Sequence, residues 1–149
     1  MALKFTYSCM SPESVTAYQF SAQYSQHCSH YVLRPIHLLS GALEVLQPAT
    51  DFSEDLLSRK NLVSAICSVD PKGESRITTG TIPRCETYTA VLQRAKNVAV
   101  SNGSDIVLPC HFVHAVLYPA SEVIISFLTA IPIEHVKLQE FIEQQTSVG

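Results

Sequence analysis

The sequence repeats itself, and the repeat limits what the chain can become. Shifted by 74 residues, Arg34-Pro35-Ile36-His37-Leu38-Leu39-Ser40-Gly41-Ala42-Leu43 runs without a gap along Leu108-Pro109-Cys110-His111-Phe112-Val113-His114-Ala115-Val116-Leu117. Pro, His and the final Leu coincide, and Leu38/Phe112, Leu39/Val113 and Ala42/Val116 keep their character. Carried backwards, the offset pairs Val32 with Ile106, Tyr24 with Val98 and Tyr18 with Leu92. A unit written twice at a fixed offset is expected to fold twice and to bury its apolar face against its copy.

Each copy reads as helix, short loop, helix. In the second copy Val91, Leu92, Ala95, Val98 and Ala99 form one apolar stripe at helical spacing. The first copy places Ala17, Tyr18, Ser21, Tyr24 and Ser25 there, behind a marked start: Ser11 as cap, Pro12 in the first helical position, Glu13 in the first turn. Loops come next at Ser29-His30 and Asn102-Gly103-Ser104. Pro35 and Pro109 then open the second helices, where a missing N–H costs least. Ile36, Leu39, Ala42, Leu43 and Leu46 make one buried face, and Phe112, Val113, Val116 and Leu117 the other.

Further helices complete each half. Ser121 caps an apolar run over Glu122–Thr129, and a last helix runs from about Ile133 to Gln144 with Val136, Phe141 and Ile142 inward. The first half carries compressed counterparts, Glu54–Ser58 behind Ser53, and Leu62–Cys67. Asp70 to Pro83, rich in Gly, Pro, Ser and Thr, reads as a linker in which Ile77–Ile82 has weak strand character. No segment sustains period-two alternation. The expected fold is therefore all-α: a tandem pseudo-twofold repeat of four-helix units. It forms one domain over 1–149, with repeat one at about 11–69, the linker at about 70–83 and repeat two at about 84–145.

Composition narrows the function. With 46% apolar and 15% charged residues the chain is globular in character. Its net charge is −3 and its ten Lys and Arg do not cluster, so no nucleic-acid face and no polybasic membrane contact are expected. No apolar run is long enough to span a bilayer and no signal peptide is read, so the chain is expected to stay in the cytoplasm. Cys9, Cys28, Cys67, Cys85 and Cys110 are odd in number and lack a CxxC pair, which fits a reducing compartment.

The whole stretch from about Ser11 to Gln144 resembles the Clp amino-terminal domain, the double helical repeat at the front of Clp-type AAA+ unfoldases. The resemblance rests on the tandem Pro-x-His-aliphatic helix openings. It rests also on the order Ile82-Pro83-Arg84, Val91-Leu92-Gln93-Arg94-Ala95, Pro109-Cys110-His111-Phe112-Val113, Ser121–Leu128 and Ile131-Pro132-Ile133-Glu134. In the family the residue before the His is commonly Glu, and in some members that pair recognises cationic or phosphoarginine-bearing substrates. Here Ile36 and Cys110 stand in its place and cannot offer a carboxylate. A Gly usual between the third and fourth helices is likewise replaced near Thr129-Ala130-Ile131-Pro132.

None of the five Gly begins a GxxxxGK[ST] loop, so ATP binding has no basis in this sequence. The resemblance thus implies a stand-alone, non-catalytic binding module without the motor. Its partner would be a protein or peptide: a Clp ATPase, an adaptor or a substrate polypeptide. The residues expected to carry binding lie where the two copies enter their second helices. They are Tyr31, Arg34, Ile36 and His37 in one copy, with Leu108, Cys110 and His111 in the other. Tyr18 and Tyr24 are assigned to the core.

A different class of function is open as well. Cys110 beside His111, or Cys28 beside His27, suggests a Cys/His-dependent enzyme, and His111/His114 or His27/Cys28/His30 a metal site. Helical neighbours point about 100° apart, which opposes a nucleophile–base pair, and neither CxxC nor HExxH is present. No catalytic residue, metal or cofactor is therefore expected. His37 and His111 are expected to satisfy their rings within the first turn of each helix. A third reading is self-association through an apolar surface.

Overall fold

A computed structural model describes residues 5–30, 32–52, 55–70, 84–118, 120–131 and 133–147. The helices are α1 Pro12–His27, α2 Pro35–Leu46, α3 Arg59–Val69, α4 Glu86–Ser101, α5 Pro109–Leu117, α6 Glu122–Ala130 and α7 His135–Ser147. Tyr7–Cys9 and Gln47–Ala49 add single 3-10 turns, and the described residues contain no strand. The fold is all-α.

The 74-residue offset holds at the level of single hydrogen bonds. Helices α1 and α4 both have 16 residues, and their ends lie 74 apart. Ser11 Oγ accepts the Ser14 N–H at 3.1 Å, and its counterpart Cys85 accepts the Tyr88 N–H through sulfur at 3.4 Å. Both helices stop at a left-handed residue, Ser29 (φ 54°) and Gly103 (φ 79°). The bond that closes such a stop is also doubled, His30 N–H to Ser25 C=O at 3.0 Å and Ser104 N–H to Ala99 C=O at 2.8 Å.

The two units then clasp one another. Short parallel bridges join Met10 to Val107 and Leu33 to Arg84. The offset turns one bridge into the other, since 10 becomes 84 and 33 becomes 107. Ser11 N–H donates to Val107 C=O at 3.0 Å, and Cys85 N–H to Leu33 C=O at 3.0 Å. The lead into the first helix of each unit is thus tied to the lead into the second helix of the other. Ser11 caps α1 through its hydroxyl and joins the clasp through its backbone N–H, so alanine there removes the cap and keeps the clasp bond. Ser11→Ala is expected to cost about 1–2 kcal/mol, read as a fall in the thermal midpoint of roughly 2–8 °C.

The core is built on this clasp. Helix α1 packs on α2, α4 on α5, and α2 on α5 across the pseudo-twofold axis. Tyr24, Tyr88, Phe112 and Phe127 are fully buried, with Leu38, Leu39, Leu43 and Leu92 between them. Tyr24 keeps its hydroxyl satisfied by donating to Glu44 at 2.6 Å, while Arg59 clamps the same carboxylate and lies over the Phe20 and Tyr24 rings.

The outer elements depart from expectation. Residues 55–57 form a turn where a helix over Glu54–Ser58 was predicted, Ser53 and Glu54 lying outside the described residues. Helix α2 has twelve residues against nine in α5, so the first unit spends three more positions before its third element. Pro48, Asp51 and Asp55 then favour turns over a further helix. Ser58 instead caps α3, which is longer than the predicted Leu62–Cys67. In α7, Val136 points outward with 62% of its surface exposed, and Leu138 with Ile142 takes the inward face. Ile142 is buried and Phe141 packs half-buried against the core as expected, so only Val136 was assigned to the wrong side. Of the predicted linker, Asp70 is the C-cap of α3, and residues 71–83, with the suggested strand Ile77–Ile82, lie outside the described residues.

Candidate functional site

Both second helices open with the same device. His37 Nδ1 accepts the Arg34 N–H at 3.0 Å, and His111 Nδ1 accepts the Leu108 N–H at 2.9 Å. Each imidazole reaches back from the third helical position to an N-cap donor with no partner inside the helix, as a Glu or Gln does in a capping box. Both rings are buried. Burial, chiefly, with the nearby His30 and Arg34 charges, lowers the pKa of His37 to about 3; burial, with His114, lowers that of His111 to about 4. They stay neutral at physiological pH and serve the fold.

In the first unit the ring is part of a chain. His37 Nδ1 is an acceptor, so the neutral ring carries its proton on Nε2 and donates to His30 Nδ1, 2.9 Å away. His30 therefore keeps its proton on Nε2, which lies 3.0 Å from the Asp70 carbonyl oxygen. Arg34 closes the ring by pairing with the Asp70 carboxylate. These bonds moor the end of α3 to the start of α2.

That mooring forms one rim of a groove of about 640 Å³. Its floor and walls are aliphatic: Ile36 from α2, Val69 from α3, Val91 from α4, Val116 from α5, Val123 and Ile124 from α6. Arg34, Asp70, Thr87, Arg94 and Ser121 supply the polar edge. Val123 is 46% exposed, so the groove presents apolar surface to solvent.

Of the predicted binding residues, Arg34 and Ile36 line this groove. His37 lies beneath it as a support. Leu108, Cys110 and His111 do not line it; they occupy the counterpart place in the other unit. There Leu108 is 38% exposed, whereas Cys110 and His111 are buried. Tyr31 lies outside the described residues. Sequence reasoning missed Val69, Asp70, Arg94 and Val123. One signal was available for Arg94: the offset pairs it with Phe20, an exchange of cation for aromatic at the same helical position.

The geometry opposes the thiol chemistry that the sequence left open as an alternative. Cys110 is buried, and burial pushes its thiol pKa up despite the backbone N–H groups of the helix start. A raised pKa leaves little thiolate to act as nucleophile. Cys28 is also buried, with its sulfur 3.5 Å from that of Cys67. Among the described residues no three His, Cys, Asp or Glu side chains are placed to hold a metal ion. No single described helix is long and apolar enough to cross a membrane.

No protein-family model and no curated protein sequence matches the chain. Solved structures do. One is the N-terminal domain of the caseinolytic-protease-associated chaperone ClpD from Arabidopsis thaliana: TM-score 0.76, 13% identity, 94% of this chain and 99% of that one covered. Another comes from structural work on a malarial protein secretion system: TM-score 0.62, 12% identity, 93% and 95% covered. At such identities the likeness is one of architecture, and the architecture is that of a Clp amino-terminal domain.

Proposed function

We infer that the chain is a non-catalytic protein-binding module that holds a polypeptide segment in the groove between α2, α4 and α6. It would serve a Clp chaperone–protease system in the cytoplasm, with a Clp ATPase, an adaptor or a substrate polypeptide as partner. The observation that carries this reading is the groove itself: aliphatic side chains from five helices, solvent-facing, edged by a few polar groups. Such a surface recognises flexible apolar segments through buried area, with polar edges fixing orientation. Arg34 and Ile36 take part directly.

Val123→Glu tests the reading. The side chain is half exposed, so the variant should unfold at the wild-type temperature within a few degrees. It puts a carboxylate on an apolar wall. Affinity for a permanently unfolded polypeptide, measured by fluorescence polarisation, is expected to fall roughly tenfold or more. Unchanged affinity would place binding elsewhere.

A further inference from the structure

The groove is apolar, but its charge is not neutral. Arg34 and Asp70 compensate each other in an ion pair. Arg94 has no such partner among the described residues. Its guanidinium donates through Nε and Nη2 to the carbonyl oxygen of Ala115, at 3.3 and 2.9 Å. That carbonyl belongs to the last turn of α5, where helix carbonyls lack intrahelical donors. Two of five N–H groups are spent there. The remainder of the fork belongs to a half-buried side chain that lines the groove.

The fold does not require a cation at this place. The counterpart of Arg94 in the first unit is Phe20, and that of Arg34 is Leu108. The same architecture is built on the other face with no cation at these two positions. The cations therefore belong to this groove, and among the described residues they leave one uncompensated positive centre on a chain whose net charge is −3.

The geometry points to an acidic–aliphatic peptide segment as the occupant: aliphatic side chains against Val91 and Val123, and an adjacent Asp or Glu side chain taken by Arg94. This deepens the reading above and rests on it. Chain-end carboxylates are usually captured by nests of backbone N–H groups; a planar side-chain fork beside an apolar wall suits a side-chain carboxylate. Ala115 holds one edge of the guanidinium in place, so the carboxylate meets a group already oriented.

Three fluorescent peptides, acetylated and amidated so that no terminal charge remains, decide the matter. They share a central Val-Leu-Val and differ in the next residue, Asp, Asn or Lys. The Asp peptide is expected to bind roughly tenfold more tightly than the Asn peptide, with the Lys peptide weakest. Raising the salt concentration should shrink the Asp-to-Asn ratio. Arg94→Gln should bring that ratio to about one, and Arg94→Lys should retain part of the preference. Circular dichroism confirms that the variants fold, and the wild-type contrast needs no variant. Equal binding of the Asp and Asn peptides would overturn the acidic preference and leave the peptide groove standing. Binding of none of the three would overturn both. Self-association in sedimentation that excludes the peptides would assign the groove to a second copy and overturn the proposal.

Discussion

Gly41→Val is expected to lose its cooperative unfolding transition, and Gly41→Ala to fold with a large penalty. The reason is a close crossing of α1 and α2. A Cβ added at Gly41 would stand 2.4 Å from the Ala17 carbonyl oxygen, 3.1 Å from the Ser21 nitrogen and 3.2 Å from the Phe20 Cβ. The first two are backbone atoms inside a helix and cannot swing away. One methyl must push the helices apart, at about 2–4 kcal/mol. For a chain of this size that is a fall of roughly 4–16 °C in the thermal midpoint. Two more methyl groups exceed what a total stability of about 5–15 kcal/mol tolerates at such a contact. The offset supplies the control. Ala115 is the counterpart of Gly41 and is buried with its methyl in place. Ala115→Gly should cost only about 1 kcal/mol. Equal effects at the two positions would show that the crossing is not as close as described.

His37→Ala is expected to be nearly as costly, and its effect should depend on pH. The substitution removes the acceptor for the Arg34 N–H and the donor to His30, and it leaves a hole in a buried site. An orphaned buried N–H and a cavity together cost about 3 kcal/mol at neutral pH. The wild-type protein should also lose stability in mild acid. The folded ring is held down to about 3 and the unfolded one titrates near 6.5, so unfolding takes up a proton whenever the pH lies between these values. Stability is therefore full above about pH 6.5 and declines towards pH 3. By pH 5, His37 alone removes about 2 kcal/mol. His111, held down to about 4, acts with the same sign. Asn in place of His37 keeps an acceptor near the Nδ1 position and does not titrate. Urea unfolding of His37→Asn should lose about 2 kcal/mol less than the wild type between pH 7.5 and pH 5. Parallel curves for wild type and His37→Asn would mean that the ring is not buried neutral.

These two positions mark where the sequence was legible. The His pair, the two Pro starts and the left-handed stops at Ser29 and Gly103 are local devices, so each leaves a mark that the offset doubles. The ends of α1 and α4 could be read for that reason. Beyond about Leu46 the copies diverge. Three extra residues in α2 displace the elements after it, and the third element of the first unit carries no helix signal strong enough to show that it had changed. Val136 was misplaced because an apolar residue at a helix start fits two adjacent phases, and packing against α5 chose the other.

The groove was half legible for a different reason. Arg34 and Ile36 came from symmetry, which located equivalent positions in both units. Only this face carries cations at these positions; the other has Leu108 and Phe20 there, and Glu13 at the place of Thr87. The edge is completed by Asp70 and Arg94, which lie 36 and 60 positions from Arg34 along the chain. Nothing local in the sequence announces that they meet.

If this double repeat holds a polypeptide in one groove and not in its symmetric counterpart, the two faces must respond differently to one ligand. A methyl spectrum of Ile- and Val-labelled protein, titrated with a permanently unfolded polypeptide, tests this most directly. Saturable shifts are expected at Ile36, Val69, Val91, Val116, Val123 and Ile124, with Val107 and Val113 unmoved. Shifts centred on the residues around Leu108, or none at saturating polypeptide, would contradict binding in this groove.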